Sequence, residues 1–98
     1  MYVGSLSLEL LLGDVHSLKE KRSVIRPIVA ELKRRHEVAA AETGHLDLHR
    51  RVEIGVAVTA ADAGHCRSVL ETCERLVAGR PEVELLSVRL RIWDDTDE

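Results

Sequence analysis

His45, Asp47 and His49 alternate in the segment ETGHLDLHRR. On an extended backbone that spacing puts two imidazoles and a carboxylate on one side, a donor set that suits zinc. On a helix it would serve only the two histidines. No cysteine accompanies the trio, and it falls in a turn-rich region between two apolar segments, so a polar turn outweighs a metal centre. Asp62 and His65 stand three apart where a helix would begin, a spacing that fits a helix cap or an acid–base pair. The cap or a surface contact is the stronger reading. Cys66 and Cys73 are seven apart in a helical pattern, about 10.5 Å along the axis and beyond disulfide reach, which makes them reduced core residues. Gly13 and Asp14 form at most a weak anion site before a helix. No Ser/His/Asp pattern, phosphate-cradling glycine loop or paired-carboxylate motif is visible, so the expectation is a non-enzymatic protein without cofactor or metal.

The chemistry with most weight is positive charge. HSLKEKRSVIRPIVAELKRRH, residues 16–36, holds seven Lys or Arg against two Glu. That net of +5, in a chain whose formal net charge is −3, leaves −8 for the remainder. On a helical wheel Lys19, Arg22, Arg26 and Lys33 fall within about 60° of one another beside the apolar stripe. Arg34 and Arg35 continue the charge at the helix end. These six residues are the expected phosphate contacts for a nucleic acid, with affinity that falls steeply with salt. The competing reading is a solvated face whose cations complement a helix C-terminus. Lys21 differs from the rest because it falls inside the apolar arc, from which it would snorkel outward or meet a partner. Asp94, Asp95, Asp97 and Glu98 form an acidic tail that would solubilise the chain or shield the basic helix.

The elements that must position these residues are legible from periodicity. Leu6, Leu8, Leu10 and Leu12 alternate with Ser5, Ser7 and Glu9, the period of a strand covered on one face. Val52, Ile54, Val56 and Val58 repeat the pattern over residues 51–59, and Leu86, Val88, Leu90 and Ile92 repeat it over 86–93. Glu37 to Glu42 is a weaker strand, since alanine is a poor strand former. Ser17 with Glu20 makes a capping box, after which Leu18, Val24, Ile25, Ile28, Val29 and Leu32 form the stripe of a first helix. A second helix starts at Asp62, buries Cys66, Val69, Leu70, Cys73, Leu76 and Val77, and stops at Gly79 with Pro81 beyond. Pro27 inside the first helix costs on the order of 3 kcal/mol. It lies on the solvent side, where a kink between Ser23 and Pro27 would accommodate it.

The order is βαββαβ, which two right-handed crossovers and one hairpin close into an α+β ferredoxin-like sandwich: a four-stranded antiparallel sheet with two helices on one face. Residues 1–93 form the single domain and 94–98 the tail. Apolar residues make up 45% of the chain, with no Phe and one Trp, so Leu, Val, Ile and Ala build the core. No run approaches the roughly 20 apolar residues of a membrane span, and no signal peptide opens the chain, which predicts a cytoplasmic location. The uncovered sheet face would show Ser5, Ser7, Glu9, Glu53, Gly55, Ala57, Ser87, Arg89, Arg91 and Trp93. An RNA recognition motif has this topology but stacks bases on aromatics of its central strands, and here only Trp93 could take that part. Small residues instead permit a second surface to come close.

VGSLSLELLL, HSLKEKRSVIRPIVAELKRR, ETGHLDLHRRVEIGVAV and DAGHCRSVLE followed by PEVELLSV together resemble the YlxP-like family of small bacterial proteins. The resemblance covers essentially the whole chain and implies a ferredoxin-like fold. It implies no catalytic residues. Genes of that family often neighbour those for a translation initiation factor and a ribosome-binding factor, which implies ribosomal RNA or a ribosome-assembly protein as partner. Where many members look like DLWQRA, this sequence has Asp47, Leu48, His49, Arg50, Arg51 and Val52, a turn that is basic rather than aromatic. The alternative is a protein-binding module that forms a homodimer through the open sheet face or an edge strand. A small-molecule regulator ranks below both.

Overall fold

The structure, a computed structural model, describes residues 1–96. Six elements follow the expected order: β1 (Tyr2–Leu12), α1 (Leu18–His36), β2 (Ala39–Gly44), β3 (Arg51–Ala60), α2 (Ala63–Ala78) and β4 (Val83–Asp94). The strands form one antiparallel sheet in the order β2-β3-β1-β4. α1 packs against β2, and α2 against β1, β3 and β4.

Alternation in β1 and β3 sets the two faces. Leu6, Leu8 and Leu10 stand opposite Val56, Ile54 and Val52, and all six are buried beneath the helices. Ile25, Ile28 and Leu32 of α1 and Leu70, Cys73 and Val77 of α2 complete this layer. On the other face Ser5, Ser7 and Glu9 stand opposite Ala57, Gly55 and Glu53. Gly4 answers a packing demand, because a Cβ there would lie 2.5 Å from Cys66 Sγ and 2.7 Å from Leu70 Cδ1. Cys66 and Cys73 are buried free thiols. Burial pushes both up from the ordinary thiol range, and Asp62 adds to the effect at Cys66.

The helix ends follow their caps. Ser17 Oγ accepts from Glu20 N at 3.1 Å, while the Glu20 carboxylate turns back to His16 N at 3.3 Å, one residue before the cap itself. Asp62 Oδ1 accepts from His65 N at 2.8 Å, so the Asp62 carboxylate acts as a cap. α1 runs unbroken through Pro27, which is exposed as its wheel position requires.

Three boundaries differ from the sequence expectation. Glu37 does not open β2; it caps α1 in the left-handed region at φ 52, and the strand begins two residues later. In β4, Glu9 pairs with Ser87 but Leu10 with Leu85, leaving Leu86 as an unpaired bulge residue. Leu86 is therefore exposed, and Val83 and Leu85 take the inward positions at that end. Finally, Asp94 closes β4 opposite Tyr2, and Asp95 accepts a 3.0 Å bond from the Met1 ammonium, so the sheet extends into the acidic stretch. Asp97 and Glu98 lie outside the described residues.

Candidate functional site

The basic row of α1 is displayed on an open edge. Arg22, Arg26 and Lys33 line one groove with Ile25, Val29, Ala30 and Glu42 of β2. Lys19 joins Arg22 and Arg26 along an adjoining depression that includes Ser23 and Pro27. All four side chains are exposed, and among the described residues none of them forms an ion pair. The helical spacing thus delivers four unneutralised cations along one side of α1, over an apolar strip.

The other two expected contacts part company with this row. Arg35 binds Glu31 at 3.0 Å and turns into the crevice between α1 and α2, which Arg75 and Arg80 also line. Arg80 pairs with the same Glu31 carboxylate. Arg34 is exposed without an ion-pair partner among the described residues.

Lys21 does neither of the things its wheel position suggested. It is 1% exposed, and its Nζ donates to the backbone carbonyls of His45 and Leu48 at 2.7 Å each. Glu42 Oε2 lies 2.7 Å away on a third side, in an ion pair out of line for a hydrogen bond. Glu42 is brought there by alternation from Ala40, which is buried on the same face of β2. A buried ammonium demands such a full set of partners, since removing it from water is costly. In return it fixes the β2–β3 loop.

Other contacts complete that loop. His45 turns at φ 58, and its Nε2 meets the Glu9 carboxylate at 3.0 and 3.2 Å. Arg51 reaches the same carboxylate at 3.1 Å. Glu9 and Glu53 stand directly opposite on the sheet, and this arrangement resolves the like charges: Thr43 Oγ1 donates to Glu53 at 2.6 Å while His45 and Arg51 take Glu9. Burial alone would raise the Glu9 carboxyl, but the hydrogen bonds from Arg51 and His45 outweigh it and hold the group below its usual range. Arg50 Nε donates to Leu12 O at 3.0 Å, and Leu12 N to Arg50 O at 2.8 Å. Leu48 N closes the turn on His45 O at 3.1 Å.

His45, Asp47 and His49 do not converge, because the His45 ring is committed to Glu9 and the other two side chains point to solvent. Among the described residues no three His, Cys, Asp or Glu groups come together to hold a metal ion. Among the described residues no helix is long and apolar enough to cross a membrane. Sequence reasoning missed Glu42 and Glu9 as partners, and the one available signal was Lys21 itself, a charge in an apolar arc.

The topology and helix placement define a ferredoxin-like domain. An NMR structure of a de novo designed protein with a ferredoxin fold matches it at a TM-score of 0.54 and 10% identity, covering 99% of this chain and 89% of that one. The family model for a protein of unknown function, DUF503, matches residues 3–90, and the chain belongs to that family. The uncharacterized protein YlxP of Bacillus subtilis (strain 168) is 27% identical over 82 residues, 84% of this chain and 89% of its own.

Proposed function

We propose that the protein is a non-enzymatic, cytoplasmic binding module that engages RNA during ribosome assembly or translation through α1. The observation that carries this reading is the row Lys19, Arg22, Arg26 and Lys33, exposed and without ion pairs among the described residues, in a chain that is acidic overall. Such a row matches a phosphate backbone, whose bound counterions it would displace. Arg34 extends it at the C-terminal end, whereas Arg35, tied to Glu31, contributes less. The likeness of SLKEKR and the hairpin to the YlxP-like family supports the ribosomal setting. R22E/R26E tests the proposal by titration against ribosomal RNA. With about 0.7–0.9 of a counterion released per contact, losing two contacts lowers the salt slope by roughly 1.5. Unchanged affinity and slope would refute it.

A second reading rests on β4, an edge strand that leaves Leu86, Val88 and Trp93 exposed. A second copy pairing along that edge would cover them. Sedimentation equilibrium that shows a monomer at high concentration would exclude this homodimer.

A further inference from the structure

The β2–β3 loop presents two leucines to solvent, Leu46 at 60% and Leu48 at 46% exposure. Two large apolar side chains on the outside of one short turn make a small exposed patch rather than a scattered single residue. Nor does such a turn need a buried lysine to hold two of its carbonyls, since water would satisfy them. Here Lys21 holds His45 and Leu48 by their backbones, and Arg50 is locked to Leu12 on the far side. The leucines therefore sit on a preorganised support, which removes the ordering cost that binding would otherwise incur.

That support is one lysine side chain away from the basic row. Lys21 stands between Lys19 and Arg22 in the sequence, and its ion-pair partner Glu42 lines the groove of Arg22, Arg26 and Lys33. The loop adds His49 and Arg50, with Asp47 as its single carboxylate. Arg50 and Asp47 leave the loop itself formally neutral, so the surface is a small apolar tip beside the cationic α1 row, which suits a polyanion with exposed apolar faces. Paired RNA presents phosphates, 2′-hydroxyls and a shallow groove, whereas unpaired nucleotides offer base faces. A leucine side chain can pack its apolar area against such a face, and every base has one, so the contact is not tied to a sequence.

We propose that Leu46 and Leu48 are the base-contacting part of the interface and pack against unpaired nucleotides whose phosphates are held by the α1 row. This rests on the reading of α1 as an RNA contact. The selectivity of the protein is then for single-stranded loops or bulges over duplex.

The test compares two RNA probes of equal phosphate number, a hairpin with a stretch of unpaired nucleotides carrying a fluorescent base analogue, and a fully paired duplex. Burying about half of each leucine makes the wild type prefer the hairpin by about tenfold, and the analogue's emission changes on binding. L46S/L48S loses the preference and the emission change while its duplex affinity and salt slope stay those of the wild type. The Lys21 bonds go to backbone atoms, so the variant keeps the fold, which its melting temperature verifies. The wild-type emission change stands as an independent measure if it does not. Retained preference in the variant, or a silent base analogue with the wild type, overturns the proposal and leaves the loop to a protein partner. Absence of binding to both probes at low salt overturns the α1 reading as well.

Discussion

Replacing Lys21 with Met keeps the aliphatic stem in the apolar arc and deletes only the ammonium. Three partners then lose their counterpart at once: two backbone carbonyls and the Glu42 carboxylate, each 2.7 Å from Nζ. Breaking a buried pair from one side costs about 3–5 kcal/mol, chiefly because a charge is left behind without compensation. Glu42 is 20% exposed and the loop borders solvent, so water relieves part of this and the lower end applies, about 3 kcal/mol. At roughly 4–8 °C per kcal/mol for a domain of this size, the melting temperature falls by about 12–24 °C. The assay is guanidinium unfolding of K21M, E42L and K21M/E42L. The double variant should recover part of the loss, since removing both charges eliminates the orphaned carboxylate. If K21M stays within about 1 kcal/mol of the wild type, the ammonium does not brace the loop and the reasoning fails.

The Glu9 carboxyl is held below its usual range in the folded protein, so its contribution to stability is complete above the unfolded value and disappears as pH falls through the folded one. Stability of the wild type should therefore decline on acidification below about pH 4.5, and E9Q should show a shallower decline; identical pH profiles would contradict the His45–Glu9–Arg51 assignment. G4A should cost about 1–3 kcal/mol, because the added methyl meets Cys66 and Leu70 of a helix that cannot retreat without opening the core. A neutral G4A, measured by the same unfolding assay, would mean that α2 sits farther from β1 than described.

Strand and helix existence could be read from the sequence because periodicity reports directly which residues lose contact with water. The inward leucines of β1 and the stripes of both helices sit where alternation and the helical wheel put them. β2 shifted because the end of α1 is set by a left-handed residue, Glu37, and a non-glycine residue gives little warning that it will adopt that conformation. The Leu86 bulge escaped for a related reason: an extra residue in an alternating run is invisible until the partner strand fixes the register. The basic row was legible as a row, since spacing along one helix is local information. That Arg35 departs from it was also within reach, because Glu31 stands one turn before it on α1, whereas the claim of Arg80 on the same carboxylate from beyond the end of α2 is not local. Lys21 shows the limit most clearly. Its place in the apolar arc announced something unusual, but the three atoms that receive it belong to β2 and the loop beyond, 21 to 27 residues away in the chain.

The most direct test of the RNA reading is cosedimentation of the tagged full-length protein with ribosomal subunits from lysate across a salt series. Comigration at low salt that is lost at moderate salt, and that is weakened in R22E/R26E, is the predicted result. Absence from every subunit fraction at low salt would contradict it and reduce the basic row of α1 to a solvated helix face.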